Sequence, residues 1–369
     1  MDEYDALIIG ARVAGATVAA FLGDAGYRVL LADRAIFPSP ALSTHFFRGA
    51  GFVSVLHDLA VLDDALALGA PRLVRQYRYV DGAATYQTEP PQDPGEMGFC
   101  LSIRRRALDD LMVRRAAASQ SVALLQRTRV TDLDWEGGRV VGARLAGPDG
   151  QRTVRARMVI GADGRHSSIA RAVEAPNRCW DSGTRALYYC YVREFAAREG
   201  DLPDGPEFSL LGDELAYVFP SEAGLTCLAL SINLQEYNSL GPTRESRTGR
   251  LATLLDRHAG IAPRWHAAVM EGGWLGTGPE PNYVRTPYGP GWALVGDASL
   301  HQDPWTGFGM DSAGVHARAL AESLISWWWG EMGEDEALDA YRRRRDEHGL
   351  ERYRISVGFA RDLRKLMEA

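Results

Sequence analysis

Ala6-Leu7-Ile8-Ile9-Gly10-Ala11-Arg12-Val13-Ala14-Gly15 is the stretch from which the fold can be read. Four apolar residues make a buried strand, and Gly10 breaks it. Val13 to Ala25 then carries Ala, Val, Phe and Leu at helical spacing until Gly26 stops the run. Tyr27 to Ala32 (YRVLLA) is again an apolar strand, closed by Asp33. Strand, glycine turn, helix and strand make a βαβ unit.

At the start of such a helix, free backbone N–H groups and the helix dipole meet a pyrophosphate. Gly10, Val13, Ala14 and Gly15 are therefore candidates for a dinucleotide turn. Asp33 is the candidate acceptor for ribose hydroxyls, and Arg34 beside it packs on the adenine or its ribose. The middle glycine of the usual G-x-G-x-x-G pattern is Arg12 here. We expect its backbone to meet the pyrophosphate and its guanidinium to reach toward the cofactor or substrate cavity.

Two further strand-like segments end in loops rich in Gly and Asp. Arg157 to Ile160 leads into GADGRHS, and Trp292 to Val295 leads into GDASLHQDPWTGFGM, followed by a helix to about Ser326. In an open parallel sheet, ligands bind beyond such strand ends. Between the two lies Asn177 to Gly276, which alternates as TRALYYCYVREF, PEFSLLG, ELAYVFP and LTCLALSIN between turns. The expected fold class is α/β: a Rossmann-like cofactor-binding domain with an inserted, mainly antiparallel β-sheet and C-terminal helices. The cofactor domain takes 1–75, 100–176 and 277–330, the sheet domain 76–99 and 177–276, and a helical segment 331–369.

Length and composition agree. The chain has 369 residues, room for two packed domains at roughly 100–200 residues each. Its net charge is −7, which gives no basic footprint for nucleic acid. The run Arg342 to Arg345 precedes Asp346 and Glu347 and reads as a solvated helix face. Cys100, Cys179, Cys190 and Cys227 have no CxxC spacing and no metal ligand set is read, so a reducing, cytoplasmic setting is expected. The apolar runs fall short of the ~20 residues of a membrane span, and Trp327 to Trp329 cap a core or an interface of a monomer or homodimer.

From here the sequence resembles a family: the FAD-dependent group of class A aromatic hydroxylases such as para-hydroxybenzoate hydroxylase, geranylgeranyl reductases and flavin-dependent halogenases. The resemblance spans nearly the whole chain and rests on GARVAG, on Ile103-Arg104-Arg105-Arg106-Ala107-Leu108-Asp109, on Gly161-Ala162-Asp163-Gly164-Arg165-His166-Ser167-Ser168, and on Gly296-Asp297-Ala298 with Asp303-Pro304-Trp305-Thr306-Gly307-Phe308-Gly309-Met310. It implies FAD, with Arg105 near the ribityl and phosphate region and Asp163 and Gly164 touching the cofactor. It also implies that Asp297, after Gly296, accepts from a ribityl hydroxyl, and that Pro304, Gly307, Phe308, Gly309 and Met310 form the turn at the flavin N1 and O2 edge. Val130 is a further candidate for contact with the cofactor. Reduced flavin is negative near N1 and O2, which a helix N-terminus stabilises.

No second dinucleotide fingerprint is read, so NAD(P)H docks transiently or a partner flavin reductase brings electrons. The halogenase branch uses an active-site lysine, and Lys365 is the sole lysine of the chain; halogenation is not expected. A monooxygenase acting through a flavin C4a-hydroperoxide on an apolar or aromatic small molecule is the favoured reading. A reductase or dehydrogenase acting on a carbon–carbon bond is the alternative, supported by the GDA to DPxTGxG spacing. His45, in Leu42-Ser43-Thr44-His45, either handles a proton near the flavin or orders its loop, and His301 carries the same ambiguity. The inserted sheet offers Tyr188, Tyr189, Tyr191, Tyr217 and Phe219. Tyr189, Tyr217 and Phe219 are taken as candidates for the pocket wall.

Overall fold

In the computed structural model, described over residues 2–43, 46–88, 97–197 and 205–365, five parallel strands form the backbone of an eight-stranded sheet. Their spatial order is Val122–Leu125, Val29–Ala32, Asp2–Ile9, Gly150–Gly161 and Trp292–Leu294. The order reverses at Asp2–Ile9, and this reversal is where the right-handed crossovers of an α/β sheet leave a crevice. The hairpin of Arg129–Glu136 and Arg139–Gly147 extends Gly150–Gly161 in antiparallel sense.

The fingerprint helix Val13–Asp24 is apolar almost all round, and nearly every residue in it is buried. It lies between the sheet, Arg105–Ala117 and the long helix Gly309–Trp329. A helix without a polar face has to be covered on all sides, and these three neighbours cover it.

The second sheet has seven strands. Val269–Thr277, Arg185–Arg193, Thr226–Asn233, Glu214–Pro220 and Glu207–Leu211 run antiparallel, and Gln76–Val80 joins Glu207–Leu211 in parallel before turning back through Ala83–Thr88. Alternation sends its side chains into two cores. Tyr188, Cys190, Val192, Val218, Leu228 and Leu230 pack on one side, with Leu251, Leu254 and Leu255 of the helix Arg244–Asp256. Tyr189, Tyr217, Phe219, Cys227 and Ala229 pack on the other, against Phe46, Leu73 and Cys100 from the cofactor half.

One expectation is corrected. The Arg342 to Arg345 run lies within the helix Glu334–Phe359, but it is not a uniformly solvated face: Arg345 is fully buried. Its guanidinium donates to Ser299 Oγ and to the Arg285 carbonyl, both at 2.7 Å, and pairs with Asp346. A four-residue run covers more than one helical turn, so one of its members must point inward when the opposite face is solvated. Trp327 and Trp328 pack against the core, whereas Trp329 is 64% exposed. Among the described residues no helix is long and apolar enough to cross a membrane.

The two long helices meet at a buried histidine pair, with His316 Nε2 3.1 Å from His348 Nδ1. Burial lowers both pKa values, that of His348 to about 3. The unfolded chain therefore takes up protons that the folded one refuses, and stability falls as pH drops below the ordinary histidine value toward about 3. We expect the urea midpoint to fall between pH 7 and pH 5. The double substitution His316→Leu, His348→Leu should flatten that slope, and an unchanged slope would contradict the assignment.

Candidate functional site

The site is built where three turns leave neighbouring parallel strands at the same level. Gly10 N–H donates to Ala32 O at 2.8 Å, Ala162 N–H to Ile9 O at 2.8 Å, and Val295 N–H to Gly161 O at 2.9 Å. Sheet hydrogen bonding thus continues into the first residues of the turns. A Cβ on Gly10, whose φ is +102°, would stand 2.3 Å from Ala162 O; one on Gly15 would stand 1.7 Å from Gly10 O; one on Gly296 would stand 2.9 Å from Ala14 Cβ. The three turns are in contact, and glycine is what allows it.

Arg12 stands at the N-cap of Val13–Asp24 and makes no capping bond, and no acidic residue occupies the first turn. The first-turn N–H groups therefore carry the positive end of the helix dipole without a protein anion against them. Asp33 is buried; it accepts from Ala11 N–H and from Ala35 N–H, both at 2.7 Å, and so ties the turn to the end of the second strand. Arg34 is exposed, and Val130 is half-buried two residues beyond Thr128, whose N–H donates to Asp33 O at 2.8 Å.

The guanidinium of Arg12 is bonded within the chain. It pairs with Asp109 at 2.7 Å and donates to Ser39 Oγ at 3.0 Å and Pro40 O at 2.9 Å. Arg105 takes the other oxygen of the same Asp109 at 2.8 Å. Two guanidinium groups thus share one fully buried carboxylate beside the fingerprint turn, which leaves that corner net positive. Asp109 closes the Ile103 to Asp109 segment without being marked by it as a site residue, although Arg105 and Asp109 at i,i+4 face each other on any helix.

In the second turn Asp163 accepts from Ser167 Oγ at 2.5 Å, Ser168 N–H at 2.6 Å and Ser168 Oγ at 2.7 Å, bracing the short helix Ser168–Ala172, while Gly164 has φ +77°. The Tyr283 hydroxyl lies 2.9 Å from the Arg165 carbonyl and 2.8 Å from the Asp297 carbonyl, which links second and third turns. The half-buried Asp297 side chain accepts no hydrogen bond from any described residue. His301 is buried, with Nδ1 2.7 Å from the Pro281 carbonyl and its ring stacked on Tyr283, so it orders the loop.

The chain then passes through buried Asp303 into a tight turn. One carboxylate oxygen of Asp303 accepts from Trp305 N–H at 3.1 Å, the other has no partner among the described residues, and burial pushes this acid up to about 6. Pro304–Thr306 ends at Gly307, whose φ of +68° is left-handed, and the half-buried Phe308 is the N-cap of Gly309–Trp329, again without a side-chain cap. Met310 is buried. Arg48 holds this turn by donating to the carbonyls of Gly307 and Thr306, both at 3.1 Å, and pairs with buried Asp311 at 3.0 Å. Neither Arg48 nor Asp311 was singled out from the sequence: they lie far apart in the chain, with no local pattern linking them.

The aromatic face of the seven-stranded sheet meets the turn directly. Tyr217 OH donates to Trp305 O at 2.5 Å, and Phe219 stacks on Phe46 with ring centroids 4.8 Å apart. Tyr189 is on the same face and accepts from Ser43 N–H at 3.4 Å, while Tyr188 is on the opposite one. His45 lies outside the described residues.

Two uncapped helix starts, three touching glycine turns and a free acceptor at Asp297 define a dinucleotide-binding α/β protein. The chain belongs to the FAD binding domain family, whose model matches residues 3–201. A digeranylgeranylglycerophospholipid reductase of Methanopyrus kandleri is 27% identical over 376 residues, covering 99% of this chain and 91% of the relative. The ubiquinone hydroxylase UbiL of Rhodospirillum rubrum is 28% identical over 341 residues, covering 87% and 72%. The solved structure of the myxobacterial chondrochloren halogenase CndH has the same fold, with a TM-score of 0.85 at 24% identity over 97% of this chain and 83% of that one. The chain is an FAD-dependent oxidoreductase, similar in sequence to hydroxylases and geranylgeranyl reductases.

Proposed function

We propose that this chain is an FAD-dependent monooxygenase for an apolar or aromatic small molecule. The observation that carries the reading is the contact of the aromatic sheet face with the turn at Pro304–Thr306, made by Tyr217 OH on Trp305 O. Tyr189, Tyr217 and Phe219 are buried there against Phe46, an apolar aromatic setting of the kind that suits an apolar substrate beside the flavin edge.

The Gly10 to Gly15 turn and the start of Val13–Asp24 would hold the pyrophosphate, with Arg12 and Arg105 keeping the corner positive around Asp109. Asp33 would face the adenosine ribose, beside Arg34 and Val130. Asp297 would accept from a ribityl hydroxyl, using an oxygen no described residue occupies. Gly307 and the start of Gly309–Trp329 would face the N1 and O2 edge and favour negative charge there. Asp163 and Gly164 would shape the middle turn. The bound flavin supplies two-electron transfer and the activation of dioxygen. Residues 1–75, 100–176 and 277–330 would hold it, 76–99 and 177–276 the substrate, and His45 is the candidate for proton handling. Electrons would come from NAD(P)H or a partner flavin reductase.

A second reading, reduction of a carbon–carbon double bond, is favoured by the full-length similarity to the archaeal reductase. Rapid mixing of reduced protein with oxygen separates the two. The monooxygenase reading expects a transient absorbance before the oxidised flavin spectrum returns, and one atom of labelled dioxygen in the product. Immediate reoxidation together with hydride transfer to an alkene would leave the reductase.

A further inference from the structure

The chain leaves the strand Val29–Ala32 at Asp33 and returns to a strand at Phe46–Phe47, after which Arg48 holds the carbonyls of Thr306 and Gly307. This connection starts at the acid assigned to the adenosine ribose and ends at the turn assigned to the flavin edge, so it runs the length of the proposed cofactor site. Within it, 36–42 makes no backbone–backbone hydrogen bond among the described residues, and Ile36, Pro38, Pro40 and Leu42 are exposed. Such a segment has no ladder of its own and is held by side chains.

Its ties lie at either end and in the middle. Phe37 N–H donates to Gln126 Oε1 at 2.7 Å, and Ser43 N–H donates to the Tyr189 hydroxyl at 3.4 Å. Between them stands Arg12, from the fingerprint turn. Its guanidinium donates to Ser39 Oγ at 3.0 Å and Pro40 O at 2.9 Å, and its Cζ lies 5.8 Å from the Phe37 ring centroid. A glycine, usual at this position of the pattern, could make none of these contacts. Nor does Asp109 depend on Arg12 for a counter-ion, because Arg105 pairs with its other oxygen at 2.8 Å. The Arg12 side chain is 31% exposed and that of Asp109 fully buried, so the guanidinium bridges a buried acid to an outlying segment.

We propose that Arg12 is a latch on cofactor exchange: it pins 36–43 against the fingerprint turn, and FAD enters or leaves when those contacts open. Arg12 is thus a positioning residue that acts through the segment it holds, and this role rests on the three turns holding FAD. Release of a latch lowers the barrier in both directions. Loss of a direct contact to the pyrophosphate would speed dissociation alone, and loss of a cation slows the approach of an anion. The direction in which the association rate moves therefore separates a latch from a direct contact.

Association of FAD with flavin-free protein, at several FAD concentrations, and its dissociation on dilution would be followed by flavin fluorescence at one salt concentration. Arg12→Met keeps the unbranched stem and removes the guanidinium. It is expected to raise both rate constants about tenfold or more, with a smaller change in Kd, as charge-assisted hydrogen bonds to the segment are lost. Ser39→Ala leaves every charge in place and should raise both by a smaller factor; it decides the matter if Arg12→Met fails to fold. Association that is slower or unchanged in Arg12→Met, or dissociation no faster than the parent's, overturns the latch. If the parent protein takes up no FAD, the FAD reading falls and the latch with it. If the parent binds FAD and the variants exchange it at the parental rates, the latch falls alone.

Discussion

Gly10→Ala is expected to yield protein that retains no flavin and unfolds at markedly lower urea concentration. The added Cβ would stand 2.3, 2.6 and 2.9 Å from Ala162 O, Ala162 C and Asp163 N, all backbone atoms, and φ at Gly10 is +102°. A flexible side chain can swing away from such a contact; a backbone cannot. Ala162 is further fixed by its N–H donation to Ile9 O at 2.8 Å. Overpacking of this kind costs about 1–3 kcal/mol, and the left-handed φ adds about 1–2 kcal/mol. Gly26→Ala, at the far end of the fingerprint helix, is the control: its φ is also positive, but its Cβ would meet nothing within 4 Å. It should lose only the smaller, conformational part and keep its flavin. Equal losses at the two glycines would contradict the close contact of the first two turns.

Asp311→Ala is expected to be the costliest single change at the third turn, about 3–5 kcal/mol by the general cost of breaking a buried ion pair from one side. The carboxylate accepts from Arg48 N–H at 2.9 Å, Phe52 N–H at 3.0 Å and the Arg48 guanidinium at 3.0 Å. It also sits where a Cβ on Gly51 would be, 2.1 Å from Oδ1. Its removal strands two backbone donors and one charge. Arg48 then loses the partner that holds it against the carbonyls of Thr306 and Gly307, so FAD affinity should fall together with stability. Asp311→Asn keeps Oδ1 as acceptor and should lose less of both. Urea unfolding and flavin titration of the two variants check this; an alanine variant as stable as the parent would refute the clamp.

The contrast between these two sites shows what could be read in the sequence. The first turn is local: an apolar run, a glycine and a helical period within a short stretch, each expressing a backbone preference. Asp33 and the GDA turn follow the same rule, because they sit where strands end. The four antiparallel segments between Asn177 and Gly276 were legible through turn residues and alternation, and they appear as Arg185–Arg193, Glu207–Leu211, Glu214–Pro220 and Thr226–Asn233. Which face each strand turned inward was not legible. Alternation places Tyr188 and Tyr189 on opposite sides but does not say which side meets the cofactor half, and that depends on sheet packing. Arg48 and Asp311 were invisible for the same reason. They come from distant parts of the chain and meet only once it has packed. Arg345 was misread because charge composition describes a helix, not the one face of it that is buried.

We propose that three strand-end turns of this chain hold FAD, with Asp297 as the acceptor left open for a ribityl hydroxyl. Titration of FAD into flavin-free protein, followed by flavin fluorescence and absorbance, tests it most directly. Saturable binding of one FAD per chain is expected, with at least about tenfold weaker binding in Asp297→Ala, the loss of one charge-assisted hydrogen bond, and unchanged urea stability of the flavin-free protein. Protein that does not take up FAD, or an Asp297→Ala variant that binds it as tightly as the parent, would contradict it.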